Sequence, residues 1–419
     1  MREEIKTRIE AVRRGEVPEG YKKVIPYIIP QDWRVKKLGA ITKRTSRPNK
    51  DGIDRPAYSI NNRKGFVPQS EQFEDGSYQD LDKTAYKIVR RGEFAYNPAR
   101  VNVGSIGRLR DEDEVIVSSL YVCVDVDDSI DGEYFDAWTK TRDFFEETVR
   151  NTEGSVREYL FYENFANMRM PIPPFAEQQK IAEILSTCDR VIELKQQLLD
   201  EKRKQKQWLM RCLLSKAGTI NEVKLSDLCT VICDGDWIES KDQSKSGIRL
   251  VQTGNVGVGQ YLDKDGRARY ISEETFDRLH CTEIFEGDVL ISRLPDPIGR
   301  ACRIPKLSTR AITAVDCSIL RFKDEQIAEF FLQYATSQDY FNKIAILAGG
   351  STRTRISRKE IEKLTVPVPA DKSSMVAISV KLSLADREIL LLEQELEAWQ
   401  QKKKALMQLL LTGLVRVNA

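Results

Sequence analysis

A single histidine, His280, stands in 419 residues. One imidazole cannot build a multi-histidine metal site, and a histidine-based nucleophile triad would rest on it alone. The eight cysteines, at 123, 188, 212, 229, 233, 281, 302 and 317, include no Cys-x-x-Cys pair. They read as reduced thiols used as small apolar residues, not as metal ligands or a disulfide framework. No apolar run approaches the ~20 residues that cross a bilayer. The opening Met1-Arg-Glu-Glu-Ile-Lys-Thr-Arg lacks the apolar core of a secretory signal, so the expected location is the cytoplasm. No Gly-x-x-x-x-Gly-Lys-Ser/Thr loop is present to cradle a nucleotide. Asn97-Pro98 continues as Ala99-Arg100, not as the Pro-aromatic pair of an amino-methyltransferase loop, and Asp125, Asp127 and Asp128 fall in a turn-like run that reads as solvated loop. The sequence thus offers no constellation for catalysis, and the expectation is a non-enzyme with no metal or cofactor of its own.

Excess charge of one sign is missing too: 66 Lys and Arg against 64 Asp and Glu leave +2. This balance neither advertises nor excludes nucleic-acid binding, because phosphate contact depends on where cations cluster and not on the sum. Lys202, Arg203, Lys204, Lys206, Arg211 and Lys216 form one local basic run, which a solvated helix face explains equally well.

What is present is a repeat. The length suggests two or more domains, and the chain matches itself at an offset of 197. Cys188-Asp189-Arg190 returns as Ala385-Asp386-Arg387, and Leu213-Leu214-Ser215 as Leu410-Leu411-Thr412. With small gaps, Met170-Pro171-Ile172-Pro173 parallels Val366-Pro367-Val368-Pro369, and Gly154-Ser155-Val156-Arg157 parallels Gly350-Ser351-Thr352-Arg353. Gly92-Glu93 parallels Gly287-Asp288, and Ile106-Gly107 parallels Ile298-Gly299 after a three-residue length difference. Each copy is a variable block of about 135 to 145 residues followed by a helical block of about 40.

The helical blocks carry a seam. Ile378, Leu382, Ala385, Ile389, Leu392, Leu396, Trp399, Lys403, Leu406 and Leu410 step by alternating fours and threes, the spacing of a coiled coil. The first block in the same register reads Ile181, Leu185, Cys188, Ile192, Lys195, Leu199, Lys202, Lys206, Leu209 and Leu213. Its three lysines can lay their stems on apolar surface while the ammonium reaches water. Pro173, Pro174 and Pro369 precede the helices, and Gly218 and Gly413 follow them as stops. Two matching stripes in one chain predict an antiparallel helix pair between two folded domains. A helix from Ile181 to Leu213 is roughly 48 Å long, on the order of 14 base pairs of duplex. A dimerisation coiled coil would show the same spacing.

The variable blocks read as α+β domains with modest sheets. Glu114-Val-Ile-Val-Ser-Ser-Leu-Tyr-Val-Cys-Val and Asp288-Val-Leu-Ile-Ser are the β-rich runs, and 133–150 and 326–343 each read as an amphipathic helix. The blocks share a framework and differ in their loops. Tyr96-Asn97-Pro98-Ala99-Arg100-Val101-Asn102 stands where the second block has Ile291-Ser292-Arg293-Leu294-Pro295. Arg to guanine and Asn to adenine are the favoured forked pairings with base edges. On that ground Asn97, Arg100 and Asn102, and Arg293, Arg353 and Arg355, are candidate base readers, with Arg157 and Tyr159 as the first-block positions matching Arg353 and Arg355. Asp236, Trp237 and Lys241, in a polar loop without a counterpart, join the list; Trp237 could stack, wedge or simply anchor its loop.

Taken together these residues resemble the type I restriction–modification specificity (S) subunits, the HsdS family. Pro171-Ile-Pro-Pro-Phe-Ala-Glu-Gln-Gln-Lys-Ile-Ala-Glu-Ile-Leu is similar to that family's approach to its first conserved helix. Tyr96-Asn-Pro-Ala-Arg-Val-Asn-Val-Gly-Ser-Ile-Gly, Glu286-Gly-Asp-Val-Leu-Ile-Ser-Arg and Gly349-Gly-Ser-Thr-Arg resemble its target-recognition signatures. The second helix departs from the pattern, with Lys372-Ser373-Ser374 in place of Glu177-Gln178. The resemblance implies an N-terminal extension (1–30), target recognition domains at 31–170 and 219–366, helical spacers at 171–218 and 367–414, and a tail at 415–419. It implies that each domain reads one half of a bipartite double-stranded DNA site and that the helix pair sets the gap. Two methyltransferase subunits and the restriction subunits would be the partners, and S-adenosylmethionine, ATP and Mg would belong to them. A type IIB-like specificity subunit and a coiled-coil scaffold without DNA remain the alternatives.

Overall fold

The computed structural model describes residues 3–51, 53–72, 83–153, 159–349 and 354–417. The chain divides into two compact units, Met1–Leu194 with Leu396–Ala419, and Lys195–Glu395. The division cuts both long helices, Phe175–Ser215 and Lys372–Leu411, so each unit holds one head and one half of each helix.

The first head is built on three sheets. One is antiparallel, in the order Ile106–Arg108, Phe94–Tyr96, Val122–Val126, Thr42–Thr45. A second runs Arg47–Pro48, Lys87–Arg90, Glu114–Val117, Ala57–Asn61, Gly65–Pro68, with only the Glu114–Val117 and Ala57–Asn61 pair parallel. A ribbon joins Arg34–Lys37 to Arg169–Ile172. The second head repeats all three. Its antiparallel sheet runs Ala301–Arg303, Val289–Ser292, Cys317–Phe322, Cys229–Asp234. Its mixed sheet, without a counterpart of Arg47–Pro48, runs Glu283–Ile284, Ala311–Thr313, Ile248–Val251, Arg269–Ile271, with Ala311–Thr313 parallel to Ile248–Val251, and its ribbon joins Ile220–Lys224 to Thr365–Pro369. The two heads are therefore one scaffold used twice.

Three details differ from the sequence reading. Ile106-Gly107 does not correspond to Ile298-Gly299. Ile106 pairs with Tyr96 and Ala301 pairs with Ile291, so the matching strand residues are Ala301-Cys302, and Ile298-Gly299 lies in the loop before them. The β-rich run from Glu114 breaks into Glu114–Val117 and Val122–Val126, in different sheets, because a turn closes with the Tyr121 N–H donating to the Ser118 carbonyl. Each amphipathic helix is two. Gly132–Trp138 and Arg142–Asn151 are separated where the Thr141 hydroxyl accepts from the Phe144 N–H, and Glu325–Tyr334 and Gln338–Leu347 where the Ser337 hydroxyl accepts from the Tyr340 N–H. A Thr or Ser whose oxygen satisfies an orphan N–H starts a new helix in spite of continuous apolar periodicity.

The N-terminal extension packs into the first unit. The helix Glu3–Arg13 and the hairpin Tyr21–Val24 and Tyr27–Pro30 belong to the first unit, with Tyr21, Tyr27 and Ile29 buried. The Tyr21 hydroxyl donates to the Gly413 carbonyl at 2.5 Å, and Arg8 donates to the Leu414 carbonyl at 2.7 Å. Arg416 is held by Asp32 and by Glu177, whose carboxylate also accepts from the Trp33 indole N–H at 3.0 Å. The departure at the second helix has its reason here. Glu177 is buried in these contacts and Gln178 beside it accepts from the Asp131 N–H, whereas Asp371 starts the second helix locally by accepting from the Ser373 and Ser374 N–H groups.

All twenty seam positions are buried or half-buried. In the first unit Ile181 and Leu185 share an apolar cluster with Leu410 and Leu411, and Asp189 pairs with Lys403. In the second unit Met210, flanked by Leu209 and Leu213, shares a cluster with Met375, Ile378 and Leu382. There Lys195 meets Glu395 at 2.6 Å, Lys202 meets Glu388 at 2.6 Å and Lys206 meets Asp386 at 2.5 Å. Numbers on one helix rise as those on the other fall, so within the unit the helices run antiparallel. The seam lysines do not simply reach for water: each ammonium finds a carboxylate on the facing helix.

Lys206 is only 7% exposed, and Asp386 also accepts from the Gln333 amide at 2.9 Å. Asp386→Ala leaves both donors short of a partner and is expected to lower stability by about 1–3 kcal/mol. Adding Lys206→Met should recover most of that loss, because an apolar substitute for a buried ion pair is often near neutral. Urea unfolding of the two single variants and the double variant measures the coupling; strictly additive losses would refute the pairing.

Candidate nucleic-acid interface

In the first head the residues singled out from sequence converge on two segments. Tyr96, fully buried, ends a central strand, and the chain then turns through Asn97, whose side-chain oxygen accepts from the Ala99 N–H at 3.0 Å. Beyond it Arg100 and Asn102 are exposed, and the Arg100 guanidinium has no ion-pair partner among the described residues. The second segment begins at the bridge between Glu153 and Tyr159. It is tied to the first by the Leu160 N–H, which donates to the Pro98 carbonyl at 3.0 Å. An internal ring stack locks the two together: Tyr162 on Phe165, and Phe165 on Tyr96 with centroids 5.0 Å apart. Tyr159 lies outside this stack, parallel to Phe161 at 5.6 Å. Arg157 lies outside the described residues.

The second head joins the same two places with different chemistry. The Ile356 N–H donates to the Arg293 carbonyl at 3.2 Å, the counterpart of the Leu160 to Pro98 bond. Arg355 pairs with Asp316 at 2.8 Å, and the Arg293 N–H donates to the Asp316 carbonyl at 2.8 Å. Arg293 was expected to offer a free fork to a base. Instead it is 8% exposed and pairs with Asp234, so here it braces the loop from beneath. Arg353 lies outside the described residues. Arg300, missed in the sequence, holds this loop in shape: its guanidinium donates to the carbonyls of Thr253, Val256, Leu294 and Pro297 and, among the described residues, meets no carboxylate. Burial lowers its pKa for that reason. Beside the loop a cleft of about 1200 Å³ is lined by Gly254, Gly257, Pro297 and Arg300, and by Arg203, Lys204 and Arg387 of the helices.

The loop around Asp236 is anchored at its root. Gly235 sits so close to the Thr313 and Ala314 carbonyls that a side chain has no room, at 2.4 Å. The Asp236 N–H donates to Thr313, and its half-buried carboxylate accepts from the Thr282 N–H at 2.9 Å. Trp237 is then 70% exposed, so it does not anchor the loop, and Lys241 is exposed with Glu239 at 2.9 Å. The repeated Gly-Glu and Gly-Asp pairs are structural in both heads. Glu93 accepts from the Arg90 N–H and pairs with Arg47, and Asp288 accepts from the Phe285 N–H and pairs with Arg321.

Phe161 and Val103 were not singled out from sequence, yet both are exposed beside the first site, at 50% and 51%. Tyr-Leu-Phe-Tyr reads as core, but the alternation of outward Tyr159, buried Leu160 and outward Phe161 carries the signal. Among the described residues no cluster of His, Cys, Asp or Glu could hold a metal ion, and no helix is long and apolar enough to cross a membrane.

Comparison with known proteins follows the same duplication. The family described as the type I restriction modification DNA specificity domain matches residues 30–201 and again 218–398. The chain is 24% identical over 431 residues to the type I restriction enzyme MjaVIII specificity subunit of Methanocaldococcus jannaschii, covering 96% of this chain and 97% of that one. The putative MjaX specificity subunit of the same organism is 23% identical over 437 residues, with coverage of 96% and 97%. Among solved structures, a chain from a study of assembly and conformational transition of the type I R-M system matches with a TM-score of 0.58 at 16% identity, over 93% of this chain and 100% of that one. The type I restriction–modification S subunit of M. genitalium matches at 0.53 with 13% identity, over 90% and 96%. At these identities the solved structures speak to the fold alone.

Burial pushes the Asp236 carboxyl pKa up, with the Thr282 N–H pulling the other way. The folded state therefore binds this proton more tightly than the unfolded chain, and stability falls as pH rises through the two pKa values. Asp236→Asn keeps an acceptor for Thr282 and removes the titration. The wild type should lose stability relative to this variant from acid toward neutral pH, after which the gap stays constant. Urea midpoints of both proteins across that range test it; a gap that shrinks as pH rises would contradict the assignment.

Proposed function

Since this chain belongs to the type I restriction–modification DNA specificity family, we propose that its two heads each read one half of a bipartite double-stranded DNA site while the helix pair sets the spacer. The observation that carries this reading is one scaffold used twice with different residues at the same two loops: Asn97, Arg100, Asn102 and Tyr159 on the first, Arg355 with Asp316 on the second, and Trp237 and Lys241 on a loop of the second alone. Two words need two chemistries on a common frame, and base edges are told apart by which donors, acceptors and apolar groups meet them.

The protein is the DNA-recognition subunit and leaves chemistry to its partners. Two methyltransferase subunits would bring S-adenosylmethionine and modify adenine; restriction subunits would bring ATP and Mg. The exposed apolar residues of the long helices, Leu194, Leu198 and Trp208 on the first and Val380, Leu384 and Leu391 on the second, support docking of the methyltransferase subunits there. The methylated base would have to leave the duplex for the partner's pocket, at a cost of a few kcal/mol. The place of action is the cytoplasm.

Replacing residues 35–165 by those of a relative should change one half of the methylated motif in the host genome and leave the other half and the gap untouched. A change in both halves would refute the division of labour. Inserting four residues, about one helical turn, into the first helical block should lengthen the gap without altering either word; an unchanged gap would refute the ruler.

A further inference from the structure

We propose that Phe161 is a base-reading residue of the first head, packing its ring against the C5 methyl of a thymine in the major groove. This rests on the reading that the first head reads one DNA word, and it adds the chemistry of one contact.

The argument begins with how the ring is held. Phe161 is 50% exposed, a large apolar surface to leave in water. It is not loose: its ring lies parallel to Tyr159 at 5.6 Å with 6° between the planes. The residue before it is buried and bound to Pro98, and the hydroxyl of the residue after it, Tyr162, donates to the Thr42 carbonyl at 2.8 Å. A ring stacked on one face, with the residues on either side of it held, loses little freedom when it meets a ligand. Its place is beside the loop that presents Arg100 and Asn102, and Val103 adds a second exposed apolar group to that loop.

The chemistry then selects the target. Phenylalanine has no donor or acceptor. Pressed on the oxygen, nitrogen or amino groups of a base edge, it would strip their water and return nothing. One group on the major-groove edges of the four base pairs is apolar, the thymine methyl. In the second head the matching stretch is Arg355-Ile356-Ser357, with Arg355 paired to Asp316 and no aromatic ring. The two heads thus differ in the kind of contact they offer at one place in the scaffold.

The test uses the assembled complex with its methyltransferase subunits and duplexes carrying the methylated motif. Thymines are replaced one at a time by deoxyuridine, which lacks only the methyl. Replacement at one thymine of the first word should weaken binding about fourfold, the worth of burying one methyl group. Replacements in the second word should leave the effect of Phe161 variants unchanged. Phe161→Ala should bind the thymine duplex about fourfold more weakly and treat thymine and deoxyuridine alike, while Phe161→Leu retains part of the discrimination. The proposal is overturned if no first-word thymine is sensitive, if that word holds no A·T pair, or if Phe161→Ala keeps the wild-type sensitivity. Loss of second-word recognition or of methyltransferase assembly in Phe161→Ala would assign the ring to protein contacts and overturn it too. A complex that binds no split site at all would sink the underlying reading along with the residue.

Discussion

The helix seam is the constraint on which everything else in each unit depends. In the first unit it buries Ile181 and Leu185 with Leu410 and Leu411; in the second it buries Met210 with Met375, Ile378 and Leu382. These contacts are between residues about two hundred apart in the chain, so a unit cannot close its core until both long helices are in hand. Each apolar cluster runs on from the seam into its head. The first includes Phe94, Tyr96, Phe135 and Trp138, and the second Val289, Phe330, Phe331 and Tyr340. Head and helix halves share one core, which couples the shape of the head loops to the packing of the helices.

Charge gives the seam its register. Apolar stripes alone tolerate slippage by a heptad, whereas a lysine in the stripe is costly unless an acid stands opposite. Lys195, Lys202 and Lys206 each have such an acid on the second helix, and Lys403 has one on the first. The first unit adds a clasp of its own, with Trp33 and Arg416 on the buried Glu177. There the N-terminal hairpin and the C-terminal tail meet, so the segment outside the repeat helps to close the unit that contains both chain ends.

Within the heads, a rigid frame carries loops of different chemistry. The strands supply backbone pairs and apolar faces that are alike in both. The loops are braced by aromatic stacking in the first head, through Tyr96, Phe165 and Tyr162, and by ion pairs in the second, through Asp234, Asp316, Arg293 and Arg355. Arginine is the favoured base-reading residue, but it is also the favoured partner for a buried carboxylate. Arg293 took the second role and Arg100 remained exposed, a choice that depends on Asp234 lying across the one strand, Cys317–Phe322, that separates its strand from the one ending before Arg293.

The duplication, the two long helices with their seam, and the alternation of head and helix were all legible in the sequence, because periodicity and self-similarity are local properties that survive without coordinates. The sequence also singled out the turn after Tyr96 and the segment around Tyr159, which the structure ties together through the Leu160 N–H and the Pro98 carbonyl. Tertiary structure alone decided the rest. It set the strand match at Ala301, which the loop before it hides, and it split the amphipathic helices at Thr141 and Ser337. It brought lysines to carboxylates across the seam and buried Arg293. The strand match and the helix splits turn on nearby bonds that continuous periodicity masks; the seam pairs and the burial of Arg293 turn on neighbours far away in the chain, and a side chain's partner across space has no signature in the residues beside it.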